Sequence, residues 1–307
     1  GKKISGEPGE VIIAPLPLYH IFAFTVNCMC MMIAGHHNVL ISNPRDIPGF
    51  IEELKKWQFS SVVGLNTLFV ALMDHPDFDK LDFSRLKSTG SGGTALVKAP
   101  AERWEKRTGC RIGESYGLTE CSPVVTSSPG DGLARIGSVG LPAPGTALKV
   151  IDENGVEQGI GERGELCVKG PQVMKGYWNR PEATDEVLDA EGWFRTGDVA
   201  IIDEDGFVSI VDRIKDLFIV SGFNVYPNEI EDVVAAHPKV ANAAAIGVSD
   251  EKSGEAVKLF VVPNDKSLTI DELKEYCRAN FTGYKVPKQH EIRESLPMSA
   301  VGKILRR

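Results

Sequence analysis

The feature that most constrains the fold is an alternation of two kinds of apolar segment over residues 1–120. Short runs such as "VIIAPL" (11–16) and "SSVVGL" (60–65) are continuously apolar and rich in branched side chains, as in strands buried on both faces. Helical patterns follow them. "DIPGFIEELKKW" (46–57) carries Phe50, Ile51, Leu54 and Trp57 on one helical face, and "NTLFVALMD" comes directly after the second strand. "VKAPAERWEKRTG" (97–109) closes on Gly109 and leads into the strand "CRIGESYG". Strand–helix alternation of this kind predicts an α/β fold built on a parallel sheet.

The pattern changes near residue 121. Up to residue 212 short β-rich runs are separated by the turn signals "PAPGT", "DENG" (152–155), "GERG" (161–164) and "DEDG" (203–206). The last, flanked by "VAII" and "FVSIV", predicts a hairpin, and the stretch reads as a β-barrel-like subdomain. Over 217–307 helices and strands alternate again on a small scale. "YPNEIEDVVAAH" begins a helix with Pro227 in its first turn, "VANAAAIGV" and "AVKLFVVP" read as strands, and Thr269 with Glu272 forms a capping box. Between the β-rich part and this small α+β part lies "VDRIKDLFIVSG" (211–222), with Asp212, Arg213, Lys215 and Asp216 clustered around Ile214. The expected organisation is an α/β subdomain (1–120), a β-rich subdomain (121–212), a joint at 213–216 and a small domain (217–307).

Composition removes several function classes. The net charge of −8 offers nothing to nucleic acid. The six cysteines are scattered; the Cys28–Cys30 pair lacks the spacing of a zinc site and reads as free thiols in a reducing cytoplasm. The apolar run "IFAFTVNCMCMMIAG" (21–35) contains Asn27 and falls short of the roughly 20 residues a membrane span needs, so it reads as a buried helix. The first residues show no signal-peptide pattern and look like a chain already under way.

Four stretches carry candidate chemistry. "TGSGGTAL" (89–96) places close glycines between a strand and a helix, where backbone can approach a nucleotide or merely turn. Neither G-x-G-x-x-G nor a G-x-x-x-x-G-K-[ST] phosphate loop occurs. "GESYGLTE" (113–120) offers the Tyr116 ring for stacking, the Thr119 hydroxyl and the Glu120 carboxylate, a hard ligand suited to Mg²⁺. In "GWFRTGDVA" (192–200), Asp198 follows a Thr-Gly turn and can accept from ribose hydroxyls or simply cap the turn. "LPMSAVGKILRR" (296–307) sets Lys303 behind Gly302, in what is otherwise a solvated tail.

Taken in order, "PLPLYH", "GESYGLTE", "GWFRTGDVA", "VDRIKDLFIVSG" and "PMSAVGK" resemble the adenylate-forming superfamily of acyl-CoA synthetases, peptide-synthetase adenylation domains and luciferase. "GCRIGESYGLTECSPVV" and "KVPKQHEIRESLPMSAVGKILRR" are similar to bacterial long-chain fatty acid–CoA ligases. The resemblance implies two steps: attack of a carboxylate on the α-phosphorus of ATP, then displacement of AMP by the thiol of coenzyme A. It implies Mg²⁺ as cofactor, and a fatty acid, ATP and coenzyme A as substrates.

By motif, Tyr116 would pack on the adenine, with Gly92, Gly93 and Glu114 lining its pocket. Thr119 would contact phosphate and Glu120 the Mg²⁺. Asp198 would hold the ribose with help from Arg213, and Lys303 would reach the carboxylate and α-phosphate. His20 would lie beside the acyl site. Lys215 would be the pivot of a mobile small domain, its neighbouring charges hydrated and without fixed buried partners, and Gly222 would leave room for pantetheine. The resemblance also admits a homodimer and peripheral contact with the inner face of the membrane.

One family element, the Ser/Thr/Gly-rich loop ending in Pro-Lys-Gly, is absent, so the chain is expected to be the C-terminal part of a longer ligase with an incomplete large domain. The alternatives are a truncated, non-catalytic nucleotide- or acyl-binding module, or an adenylation enzyme for a different carboxylate. An adenylation domain feeding a carrier is disfavoured by the end at "KILRR".

Overall fold

The structure, a computed structural model, describes residues 9–93, 96–130, 133–299 and 303–306. The chain forms two compact units. The first comprises residues 1–162, 166–196 and 202–209, and the second 163–165, 197–201 and 210–307.

In the first unit the sheet runs β1 (Val11–Ala14), β2 (His37–Leu40), β3 (Ser61–Gly64), β4 (Ser88–Gly92), β5 (Ile112–Gly117), β6 (Val124–Ser127) and β7 (Leu141–Pro142), in spatial order β2-β1-β3-β4-β5-β6-β7. The first five strands are parallel. β6 and β7 close the far edge antiparallel, so the head of the β-rich stretch joins this first sheet. Helices α2 (Ile47–Leu54), α3 (Asn66–Asp74) and α4 (Lys98–Thr108) bury Phe50, Ile51, Phe69, Leu72 and Trp104 against Ile13, Val62 and Ile112. Asp46 caps α2 by accepting from the Gly49 N–H at 3.1 Å. Gly109 ends α4 at φ +73, a left-handed conformation that only glycine adopts cheaply.

The apolar run at 21–35 is helical but only partly buried. α1 (Ile21–Ala23) continues into a π-helical stretch, Phe24–Met31, in which only Asn27 is buried. Met32 and Ile33 are 64% and 76% exposed. The cause is geometric: the stretch packs on β1 and β2 at one edge of the sheet, which covers a single flank. Ala23 and one polar residue face inward, with Phe22 and Val26 packed beside Leu16, Val63 and Leu65. Asn27 donates to the Asn38 side chain at 3.0 Å, and Asn38 donates back to the Asn27 carbonyl at 3.1 Å.

A four-stranded sheet follows, ordered β11-β10-β9-β8, from β8 (Ala147–Ile151), β9 (Gly164–Lys169), β10 (Phe194–Ile202) and β11 (Val208–Arg213), with the short helix α5 (Pro181–Asp185) between β9 and β10. The "DEDG" turn is built as its residues dictate. Asp203 Oδ1 accepts from the Asp205 and Phe207 N–H groups at 3.0 and 2.8 Å, and Gly206 takes φ +82.

The second unit is a small α+β layer. Its sheet contains β12 (Phe218–Val220), β13 (Phe223–Val225), β14 (Val240–Asp250), β15 (Gly254–Pro263) and β16 (Gln289–Ile292), ordered β13-β12-β15-β14 with β16 alongside β15. Helices α6 (Pro227–Ala235) and α7 (Ile270–Asn280) bring Ile230, Val234, Leu273 and Cys277 into a core with Ala245, Leu259 and Val261. Thr269 caps α7 by accepting from the Glu272 N–H at 3.2 Å. α6 receives its cap from outside the helix: Asp212 Oδ2 accepts from the Asn228 N–H at 2.8 Å.

That bond corrects the expectation of a freely hydrated charge cluster at 212–216. Asp212 is 1% exposed and also accepts from the Arg213 N–H at 2.8 Å. Asp216 is largely buried and lies 3.6 Å from Arg306. Only Arg213 and Lys215 are exposed among the four charges. Asp212 is tied down because α6 starts where its first-turn N–H groups need an acceptor, and Asp216 by the Arg306 guanidinium.

Burial pushes the Asp212 carboxyl up to about 6, against the pull of its two N–H donors and Arg306. A carboxyl raised in the folded state adds stability that is fully present below its unfolded value, near 4, and is lost as pH rises through 6. Relative to Asp212→Asn, the parent protein is therefore expected to lose about 2–3 kcal/mol of stability between pH 4 and pH 7. Denaturant unfolding of both proteins at the two pH values measures this; a pH-independent difference would show that Asp212 titrates normally.

Candidate active site

The sequence-predicted residues fall into two sets, one in each unit. In the first unit the residues gather at the carboxyl ends of parallel strands, where open α/β sheets bind ligands. Gly92 ends β4 beside Ser115 of β5, and Gly93 follows in an exposed bend at φ +88. A Cβ on Gly92 would stand 3.1 Å from the Ser115 carbonyl and 3.4 Å from the Phe22 ring, so a side chain there would press on both. Thr94 and Ala95 of the glycine stretch lie outside the described residues.

Glu114, on β5, is 5% exposed. Its carboxylate accepts from the Leu96 N–H and the Gly137 N–H, both at 3.2 Å. It braces the chain just after the glycine stretch. Tyr116 is half-buried at the end of the same strand, paired in register with Thr126. The following Gly117 is obligatory for a different reason: a Cβ would lie 2.0 Å from the Pro123 carbonyl oxygen.

Thr119 and Glu120 sit in the single 3₁₀ turn that follows, Thr119 exposed and Glu120 half-buried. The Tyr177 hydroxyl donates to Glu120 Oε1 at 2.9 Å, and the Met174 N–H donates to the Glu120 carbonyl at 2.7 Å. Burial and the Glu120 acceptor push the Tyr177 hydroxyl up to about 12, so it stays a donor at neutral pH. Among the described residues no three His, Cys, Asp or Glu side chains gather to hold a metal. A lone oriented carboxylate nevertheless fits Mg²⁺, which keeps several waters and takes its other ligands from substrate phosphates. His20 follows β1 and caps α1, its Nδ1 accepting from the Phe22 N–H at 3.3 Å.

In the second unit Asp198 lies on β10, 4% exposed, with Arg213 Nε 3.4 Å from its Oδ1. The turn before Asp198 is held by Glu165, whose Oε1 accepts from the Gly197 N–H at 3.1 Å while Gly197 takes φ +70. Lys303 is half-buried, and its ammonium is held below the usual lysine range by burial first and then by the Arg213 charge, with Asp198 pulling the other way. Asp198, Arg213 and Lys303 thus form one electrostatic group.

Lys303 closes a short hairpin: the Ser299 N–H donates to the Lys303 carbonyl at 2.8 Å, and Met298 bridges Ile304. Residues 300–302, including Gly302, lie outside the described residues. Lys215 sits exposed in the turn after β11. Gly222 takes φ +85, and a Cβ added there would meet nothing within 4 Å, so backbone conformation is what selects glycine at this position.

Sequence reasoning missed Tyr177 and Glu165. Tyr177 lies 57 residues from Glu120, in the stretch "KGYWNRPEAT", and periodicity carries no signal for such a contact.

Residues 2–178 match the family model described as AMP-binding enzyme, and residues 229–303 match the AMP-binding enzyme C-terminal domain. The chain is 56% identical to a long-chain-fatty-acid–CoA ligase of Salmonella typhimurium over 98% of its own length and 54% of the relative's. It is 38% identical to a feruloyl-CoA synthase of Amycolatopsis, over 97% of this chain and 60% of that one. Among solved structures, ATP-bound MatB from Rhodopseudomonas palustris superposes with a TM-score of 0.88 at 34% identity, covering 97% of this chain and 59% of that chain. The chain therefore spans about half the length of the curated relatives it matches. With a family model matched over more than half its residues, this chain belongs to the AMP-binding enzyme family.

Proposed function

We propose that the protein carrying this chain activates a fatty acid with ATP and transfers it to coenzyme A. The observation that carries the reading is the grouping of Asp198, Arg213 and Lys303 in the second unit: a carboxylate suited to a ribose diol beside two cations suited to a carboxylate and a phosphate. The set of residues at the strand ends of the first unit supports it.

In the first step a fatty carboxylate oxygen bonds to the α-phosphorus of ATP as the bond to pyrophosphate breaks. No side chain of the protein becomes covalently bound. The work is positioning and neutralisation of developing charge. Tyr116 offers a ring for the adenine, Thr119 a hydroxyl for phosphate, and Asp198 an acceptor for the ribose. Lys303 places a desolvated ammonium on the reacting carboxylate and the α-phosphate oxygens. Glu120, oriented by Tyr177, would hold Mg²⁺, which when bound shields the phosphate charge. In the second step the coenzyme A thiol gives up its proton, its sulfur bonds to the acyl carbon, and AMP leaves.

The 56% identity to a long-chain-fatty-acid–CoA ligase supports an aliphatic carboxylate. ATP–pyrophosphate exchange by the full-length protein tests the reading. Exchange that requires a fatty acid is the expected result. Exchange driven by an aromatic acid alone would reassign the substrate, and nucleotide binding without exchange would make the protein a binding module.

A further inference from the structure

The last described residue, Arg306, is more deeply engaged than any tail residue needs to be. Its side chain is 18% exposed. Nε donates to Glu231 Oε1 at 2.9 Å and Nη2 to Glu231 Oε2 at 2.6 Å, a two-pronged grip on α6. Nη2 also donates to Asn228 Oδ1 at 2.5 Å, and Nη1 stands 3.6 Å from Asp216 Oδ2. These partners are themselves fixed. Asn228 donates its N–H to Asp212 and its side-chain amide to the Val211 carbonyl at 3.1 Å. Glu231 Oε1 also accepts from the Ala245 N–H of β14 at 2.9 Å.

One guanidinium thus ties the chain end to α6, to the central hairpin of the small sheet and to both buried acids of the 212–216 segment. Its only sequence neighbour with a chemical role is Lys303, three residues away across the hairpin closed by Leu305, whose N–H donates to the Pro297 carbonyl at 2.9 Å. Among the described residues, bonds within that hairpin join Ser299 to Lys303 and Met298 to Ile304 and fix its shape.

We infer that Arg306 is a positioning residue that holds the Lys303 hairpin against α6 and the 212–216 segment, so that the ammonium stays grouped with Asp198 and Arg213. The inference rests on the proposed ligase reading only for the role of Lys303. Arg306 acts through that lysine and touches no substrate. Lysine cannot replace it: an ammonium cannot grip both Glu231 oxygens and still reach Asn228 and Asp216.

The test is a double-mutant cycle in the full-length protein, read as fatty acid-dependent ATP–pyrophosphate exchange. Arg306→Lys keeps the charge and is expected to slow exchange about 10- to 100-fold, the loss expected when a reacting group is displaced by about 1 Å. Combined with Lys303→Ala, it is expected to add less than about twofold, because a residue acting through Lys303 has nothing left to position. An Arg306→Lys effect that persists in full on the Lys303→Ala background would overturn the inference, as would wild-type exchange in Arg306→Lys. If Arg306→Lys unfolds the small domain, Asp216→Asn reads the same link while leaving the Glu231 grip intact, and it must show the same dependence on Lys303. Failure of the ligase reading looks different: the unmutated full-length protein would then show no fatty acid-dependent exchange at all.

Discussion

Lys303→Ala in the full-length protein is expected to slow fatty acyl-adenylate formation by about 10²–10³-fold, the scale set by removing one preorganised group from a developing charge. The size follows from where the lysine sits. Its ammonium is half-buried, partly stripped of water and held beside Arg213, so it meets an anion with little reorganisation. Alanine leaves the hairpin backbone bonds at Ser299 untouched, so folding should be unaffected. The lowered lysine value adds a sign: adenylation should decline at a lower alkaline pH than an ordinary lysine would allow, and Lys303→Arg should abolish that limb. A Lys303→Ala protein with exchange close to the wild-type rate would remove this residue from the chemistry.

Trp104→Ala is expected to cost about 3–5 kcal/mol, the range for deleting a large aromatic from a packed core. Trp104 is 1% exposed and lies 4.7 Å from the Phe69 ring and 5.5 Å from that of Phe78, centroid to centroid. Its indole N–H donates to Thr89 Oγ1 at 3.2 Å, so truncation opens a cavity and leaves that buried hydroxyl only its bond to Cys110 Sγ at 3.5 Å. Thr89 lies on β4, the strand that delivers Gly92 and Gly93, and the damage should therefore reach the end of that strand. Trp104→Phe keeps most of the volume and loses the N–H, and should cost about 1–2 kcal/mol. Denaturant unfolding followed by far-ultraviolet dichroism distinguishes the three proteins; equal stability of Trp104→Ala and wild type would contradict the packing described here.

These two positions also show what sequence can and cannot carry. Several elements of both units were legible because local rules and tertiary packing agree. The predicted helix at 66–74 coincides with α3, Gly109 ends α4 in the left-handed region, and Thr269 caps α7. The run at 21–35 failed because uniform apolarity has no phase: nothing in "IFAFTVNCMCMMIAG" says that Asn27 faces in and Ile33 out. The charges at 212–216 failed for a related reason. An aspartate awaiting solvent and one capping a helix sixteen residues on are written with the same letter. Motif resemblance supplied the candidate residues, but the braces behind them, Tyr177 on Glu120, Glu165 on Gly197 and Arg306 on α6, come from contacts between distant segments.

Mass spectrometry of a single reaction shows whether Lys303 and its neighbours serve the adenylation of a fatty acid. The full-length protein is incubated with ATP, Mg²⁺, coenzyme A and competing acetate, palmitate and coumarate, in parallel with Lys303→Ala. The account predicts palmitoyl-AMP and palmitoyl-CoA in the first reaction and neither above trace in the second. Bound nucleotide with no acyl-adenylate, or palmitoyl-AMP formed equally by both proteins, would contradict it.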